Sequence, residues 1–409
     1  MAMPRLRSYR GPALLSYGFR PFFLFGSIYA GIAVLIWLPM FHGEIAISTA
    51  FMPRDWHVHE MLFGFVAAVV TGFLLTAIPN WTGRLPIQGG PLLFLVIVWI
   101  GGRLAVAFSA VIGWFPTAVV DVAFLALVAA AAAREILADR NWGNLKVFVI
   151  LAVLTAANVA FHLEAHAWGT ADYSTRLGFA AIIMLMMIIG GRIVPSFTRN
   201  WLARENPGGL PVPFGRFDVV ALALGGMGLV LWIALPTART TAAALLGVGI
   251  LQTVRLARWV GYRTLRDRLV LVLHLAYAFV PLGFMLTGIA ALDLLPASAG
   301  IHAWTVGAIG TMTLAVMTRA SLGHTGHALV ASTATQLIYL AVLTSAVLRI
   351  CAAIEPQRSN VLLSVSALFW AAAFLGFGAS YGPILLKRRR DGNEFKRMNV
   401  LEPGGADRL

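Results

Sequence analysis

Residues 56–79 read WHVHEMLFGFVAAVVTGFLLTAIP, and this stretch decides the fold. Beyond Glu60 it carries no charged side chain, and it is long enough to cross a bilayer as a helix, which takes roughly 20 apolar residues. Similar stretches recur along the chain, separated by short polar segments. The predicted spans are 17–40, 56–79, 91–110, 116–137, 145–167, 176–197, 215–235, 238–260, 268–292, 298–318, 328–353 and 360–386. The sequence therefore predicts an all-α integral membrane protein of about 12 transmembrane helices.

The composition supports this fold class. Hydrophobic residues make up 59% of the 409 residues and charged residues only 12%, whereas soluble domains contain about half apolar and a quarter charged residues. The longest polar segment between spans, 199–216, is too short to fold as a domain of its own. We therefore expect a single twelve-span transmembrane domain over 1–386, in contact with membrane lipid, and a basic cytoplasmic tail over 387–409.

Membrane orientation explains the formal net charge of +14 better than nucleic-acid binding does. With the N-terminus inside, 25 lysines and arginines lie on the cytoplasmic side and 5 on the outer side, while Arg103 lies within a span. Basic residues concentrate in the cytoplasmic loops of membrane proteins. We therefore predict that both termini are cytoplasmic, and we expect no nucleic acid among the partners.

A short motif recurs at the inner ends of spans two, six and ten, where the sequence reads IPNWTGR, VPSFTRN and SLGHTGH. Aligning the three copies superposes Thr82, Thr198 and Thr325, at offsets of 116 and 127 residues, which is about four spans each time. The motif predicts three parallel four-helix repeats, because units of four helices keep equivalent helices pointing the same way. Matches this short also arise by chance between helix ends of similar composition.

Six of the nine histidines lie near the outer face, which favours a cofactor or metal site there over scattered contacts with lipid headgroups. They are His42, His57, His59, His162, His166 and His302. Histidine is the usual axial ligand of b-type haem. The repeat sets His59 opposite His302, so these two are the predicted haem pair. His57 is two residues from His59 and points to another side of the helix, which makes it a candidate ligand for haem or for a metal ion.

Two histidines in span five form a candidate copper site. His162 and His166 are four residues apart, so both project from one face of a helix and can share one metal ion. Imidazole ligands without cysteine favour copper among the first-row metals, and the single cysteine, Cys351, excludes thiolate clusters. Glu60 and Glu164 stand beside these histidines and are candidates for orienting the rings.

Arg103 and Asp121 are ionisable side chains inside spans three and four, where a charge is costly unless it is paired or functional. Arg103 has two interpretations. It either contacts the propionates of a haem or forms a structural ion pair with Asp121. The same two residues also suit a substrate pathway, so a secondary transporter or permease is the alternative function. A membrane scaffold without chemistry of its own is a third interpretation.

Four segments carry a resemblance to a known family. They are SYGFRPFFLFGSIYAG at 16–31, WHVHEMLFGFVAAVVTGFLLTAIPNWTGR at 56–84, IGGRIVPSFTRNW at 189–201 and HAWTVGAIGTMTLAVMTRASLGHTGH at 302–327. The chain resembles the NnrS family over essentially all of its spans. This implies a bacterial inner-membrane protein that contains haem and copper and is associated with denitrification and with resistance to nitrosative stress.

The resemblance also implies the ligand, the partner and the site. Nitric oxide is the implied small gas ligand, and an electron-donating partner is expected because the chain carries no electron-transfer motif of its own. The histidine-bearing motifs of the family fall on His57, His59, Glu60 and His302. A weaker likeness to haem-copper oxidase subunits extends to twelve helices with haem ligands on helices two and ten. Spans six and seven lack the oxidase histidines, so an oxygen-reducing centre is not expected.

Overall fold

The computed structural model describes residues 9–83, 85–138 and 145–389, and in these residues it contains helices and no strand. Twelve helices of this part of the chain are long and apolar enough to cross a membrane, which confirms the predicted fold class. We number them α1 to α12. Ten are continuous: α1 Phe19–Phe41, α3 Gly90–Ala107, α4 Trp114–Ala138, α5 Leu145–Trp168, α6 Asp172–Glu205, α7 Arg216–Ala234, α8 Arg239–Ala257, α9 Arg268–Ala290, α11 Thr333–Ile354 and α12 Ser359–Leu386.

Helices α2 and α10 depart from α-helical geometry in the same way. In α2 a π-helix, Glu60–Val66, lies between Pro53–His59 and Ala67–Thr82. In α10 a π-helix, Ala303–Gly310, lies between Ala297–His302 and Thr311–Thr325. Each π-helix therefore begins at the residue after a histidine. π-Helices are rare and occur mostly at functional sites.

The repeat register relates these two helices at further positions. The same offset of 243 residues that relates His59 to His302 also relates Gly83 to Gly326. Both glycines cap their helices in the left-handed conformation, with φ of 68° and 80°, a conformation that glycine adopts without steric cost. The predicted equivalence of spans two and ten is thus matched by their backbone geometry at both ends.

The predicted spans agree with most helix ends to within a few residues. The inner ends of α6 and α10 run further than predicted, to Glu205 and Thr325. In α6 the charged segment RNWLARE, 199–205, continues the helix after the apolar stretch has ended. Helix α12 ends at Leu386, where the transmembrane domain was expected to end, and most of the predicted basic tail lies outside the described residues.

The twelve helices pack as a closed ring, because neighbours along the chain contact each other and α12 returns to α1. Arg20 of α1 secures this closure. Its buried guanidinium donates to the carbonyls of Leu385 and Lys387 at the end of α12, both at 2.6 Å. Helix α6 also packs against α9, and α10 against α1. The second helix of one predicted unit thus contacts the first helix of the next, as three equivalent units require.

Candidate functional site

A cavity of about 460 Å³ lies between α2, α6 and α10, the three helices that the repeat makes equivalent. Its wall is mostly apolar and includes residues of both π-helices, among them Leu62, Phe65 and Ile309. The charged and titratable groups on the wall are His57, His302, Arg54, Asp172, Arg176 and Arg349. Small-molecule sites of roughly 300–1,000 Å³ are lined in this way, with few polar groups on an apolar wall.

His302 stands on the α10 side of the cavity in a fixed tautomer. Its Nδ1 lies 2.6 Å from the carbonyl oxygen of Ser298, one helical turn earlier. A carbonyl oxygen only accepts hydrogen bonds, so Nδ1 carries the ring proton and Nε2 is left with a free lone pair. Metal-ligating histidines are held in this way, with the second ring nitrogen donating to a carbonyl.

His57 stands on the α2 side of the same cavity. Its ring stacks on Trp37, with centroids 4.1 Å apart and the planes inclined by 23°. Its Nδ1 is buried, and within the described residues it has no hydrogen-bond partner. A buried polar nitrogen without a partner is costly. Both imidazoles therefore lie on the wall of one apolar cavity, and Nε2 of His302 has a free lone pair.

His59, two residues from His57, belongs instead to a buried polar cluster formed by α1 to α5. The cluster consists of Tyr29, His59, Glu60, Arg103, Asp121, Asn158 and His162. Arg103 donates to Glu60 at 2.8 Å and also forms an ion pair with Asp121. Tyr29 donates to the second oxygen of Glu60, and Asn158 donates to Asp121 at 2.9 Å.

The cluster lacks one positive charge when its histidines are neutral. Glu60 and Asp121 carry two negative charges, and Arg103 carries one positive charge. Both ring nitrogens of His59 face acceptors, because Nδ1 lies 2.9 Å from Glu60 and Nε2 lies 3.1 Å from Asp121. The exposed fraction of the His59 side chain is 0%, so solvent does not screen the imbalance. Either a second proton on an imidazole or a metal cation balances the cluster.

The ligand atoms of this cluster are spaced as a metal ion requires. Nε2 of His59 and Nε2 of His162 lie 3.1 and 3.0 Å from the same oxygen of Asp121, and the ligand atoms of all three residues lie within 4.8 Å of one another. Ligands bound at 2.0–2.2 Å around a tetrahedral ion are about 3.3 Å apart. His59, Asp121 and His162 therefore form a candidate metal site with two imidazoles and one carboxylate.

Phe51 covers this cluster on its outer side. Its ring centroid lies 5.3 Å from that of His59 and 5.6 Å from that of His162. The loop that carries Phe51 is held in place by Ser109, whose hydroxyl accepts from the amide of Ala50 at 2.8 Å. The candidate metal site is thus closed toward the outer end of the helices.

The family described as NnrS protein matches residues 13–389, nearly the whole chain. The chain belongs to the NnrS family. The matched region begins before α1 and ends after α12, so it contains the cavity and the polar cluster of this NnrS protein. No curated protein matches the chain.

The NnrS chain distributes its predicted site residues over both sites. His57 and His302 line the cavity, whereas His59, Arg103 and His162 lie in the polar cluster and are not among the residues of the cavity wall. The structure therefore does not bring His59 and His302 to one site, although the repeat register set them against each other.

His166 lies apart from both sites. It is exposed and stacks on Trp114, with centroids 4.3 Å apart.

Glu164 accepts from the backbone amides of Asp172, Tyr173 and Ser174 at 2.8–2.9 Å. It caps the first turn of α6 and does not orient an imidazole. Glu60, by contrast, contacts the His59 ring as expected.

Several residues of the sites were not expected from the sequence, among them Tyr29 of the polar cluster. Asn158 joins the cluster four residues before His162 on the same face of α5, and that spacing was a usable signal. Arg349 was counted with the basic residues of the outer side, yet it lies on the cavity wall. No local pattern in the sequence distinguishes it from the other arginines.

Proposed function

We propose that this NnrS protein holds a b-type haem in the cavity and a copper ion in the polar cluster, and that it acts on nitric oxide in the bacterial inner membrane. Nitric oxide metabolism and protection against nitrosative stress are the two settings in which this chemistry serves a cell. The observation that carries the proposal is the placement of His57 and His302 on the wall of one apolar cavity.

The residues around the cavity fit a haem. Bound haem supplies an iron that binds small gases. His302 would hold the iron through Nε2, with its ring held by Ser298, and His57 would supply a second imidazole from the same wall. The apolar wall excludes water from the ring and suits a small, uncharged gas.

The polar cluster fits a metal cation because its buried charge lacks one positive unit. His59, His162 and Asp121 are its ligands in this proposal, and Glu60 and Arg103 hold the ligands in position. Imidazole with carboxylate suits copper, and the same donor set also suits ferrous iron. Metal analysis therefore tests the identity of the ion as well as its presence.

Turnover of nitric oxide would require electrons from a partner protein. The permease alternative depended on Arg103 and Asp121, but these two residues pair with each other inside the closed cluster and are not on the cavity wall. Within the described residues, Arg103 and Asp121 therefore do not line a path through the cavity, which is what the transport hypothesis required of them.

The first experiment is a reduced-minus-oxidised optical spectrum of the purified protein, with metal analysis and titration by nitric oxide. We expect a Soret band that shifts when nitric oxide is added, together with copper in the same sample. A preparation without a Soret band and without copper contradicts the proposal.

Single histidine variants separate the two sites. We expect His57→Ala and His302→Ala to lower haem content and retain the metal, whereas His59→Ala and His162→Ala lower metal content. His166→Ala and His324→Ala are matched controls outside both sites. If His59→Ala lost haem while His57→Ala kept it, the haem would be held by His59 and His302, the pair predicted from the repeat, and not by His57 and His302.

A further inference from the structure

Three arginines on the cavity wall differ in whether their charge is already balanced. Arg54 is paired with Asp55 at 2.9 Å and with Asp172 at 2.6 Å. Arg176 donates to the carbonyl of Ile233 at 3.3 Å and lies over the ring of Tyr173. Arg349 makes neither a hydrogen bond nor an ion pair within the described part of the chain.

Arg349 lies in a setting where an unbalanced cation is costly. It projects from α11 near its outer end, and it shares the cavity wall with the apolar residues Leu363 and Trp370. The nearby hydroxyl groups do not partner it, because Ser345 and Ser366 bond to each other and to each other's carbonyls. A guanidinium in an apolar wall attracts an anion, and its planar fork matches a carboxylate.

We infer that Arg349 anchors a carboxylate of the molecule that fills the cavity, and that its ligand is a propionate of the haem. This inference rests on the proposed function and adds the residue that fixes the ring's orientation. Arg349 and the exposed Arg54 mark the outer end of the cavity. The propionate edge therefore points to the outer end, and the apolar edge points toward Ile309 and Val66.

The contact with the propionates, for which Arg103 was a candidate, is thereby assigned to a different arginine. Arg103, a candidate for the propionates, is already bound to Glu60 and Asp121. Arg349 likewise stands on the third helix of its unit, as Arg103 does in the first, although the offset of 243 residues pairs Arg103 with Ala346. Of these two arginines, only Arg349 has no carboxylate partner within the described residues.

Haem and its dimethyl ester, which lacks both carboxylate charges, test the inference directly. The full-length protein, produced in haem-deficient cells, is titrated with each. We expect wild type to bind haem at least about ten-fold more tightly than the ester. Arg349→Gln should weaken haem binding to the level of the ester and leave ester binding unchanged, while Arg349→Lys retains part of the preference.

Arg54→Gln is the matched control, because it removes the same charge from the same wall at a residue whose charge is already paired. Equal affinity of wild type for haem and ester overturns the inference, as does a loss of affinity for haem but not for the ester in Arg176→Gln instead of Arg349→Gln. Wild type that binds neither compound contradicts the proposed function itself. Haem binding that depends on His302 but not on Arg349 contradicts the inference alone.

Discussion

At the scale of single residues, Arg103 shows how one buried charge organises its surroundings. It bridges Glu60 of α2 and Asp121 of α4, and Asp121 in turn contacts His59, Asn158 and His162. The side chains in this network are almost completely buried. Removing one member of a buried ion pair leaves the others charged and unpaired, which costs more than the pair itself contributes.

Arg103→Leu should therefore destabilise the protein strongly, by about 3–5 kcal/mol, because Glu60 and Asp121 lose their cation. Thermal unfolding in detergent measures the loss. The absorption spectrum of the haem proposed above should keep its shape, because Arg103 is not on the cavity wall. Arg192→Leu, at an exposed position of α6, serves as the control. A spectral change in Arg103→Leu with unchanged thermal stability would contradict this role.

At the scale of elements, the two π-helices shape the helices on which the histidines stand. A π-turn breaks the regular hydrogen-bond ladder and leaves carbonyls that need other donors. In α2 the carbonyl of Gly64 accepts from the indole of Trp99 on α3 at 3.0 Å as well as from the amide of Ala67. In α10 the indole of Trp304 donates out of the π-helix to the carbonyl of Val280 on α9, at 3.1 Å. Indole groups thus fasten both π-helices to a neighbour.

Trp99→Phe should lower the stability of the protein by about 0.5–1.5 kcal/mol, because it removes one buried hydrogen bond to the Gly64 carbonyl. The matched control is Trp56→Phe, since the indole nitrogen of Trp56 is buried and has no partner in the described residues. Both variants lose similar apolar volume. Thermal unfolding compares them, and an equal loss of stability in the two would show that the hydrogen bond to the π-helix contributes nothing.

At the scale of the whole molecule, the second four-helix unit, like the first, contains a buried arginine that joins neighbouring helices. Arg255 of α8 is completely buried and pairs with Asp218 of α7 at 2.9 Å. It also donates to the carbonyl of Met187 on α6 and to the hydroxyl of Tyr277 on α9. Arg103 thus joins three helices near the outer end of the bundle, and Arg255 joins four near its inner end.

The predicted orientation of the molecule is tested by reporter fusions. Fusions at Gly43 and Gly169 should report an outer location, and a fusion at Gly208, in the loop after α6, should report a cytoplasmic one. The physical reason is the excess of lysine and arginine at the inner end. If the reporters at Gly43 and Gly169 were cytoplasmic, the predicted orientation would be wrong, and the open end of the cavity would face the cytoplasm.

The sequence predicted the helices well because each span satisfies a one-dimensional condition, namely enough consecutive apolar residues. It predicted the equivalence of α2 and α10 from seven residues, because the glycine that caps a helix leaves a local signal. It did not separate His57 from His59. Which of two histidines faces a cavity depends on the π-turn that follows them, and a π-turn has no distinct composition. Arg255 likewise carries no mark that distinguishes a buried arginine from one in a loop.

Phe51 and the loop 42–52 lie over the polar cluster, on the route by which the proposed metal ion would enter and leave. The ring covers His59 and His162. The loop is held by hydrogen bonds to Ser109 and Ala110, in the short segment that follows α3. An ion bound in the cluster, as proposed above, would reach its ligands only after these contacts open, so local unfolding of the loop would limit its uptake and release. A chelator in the medium should strip the ion slowly, at a rate independent of the chelator's concentration.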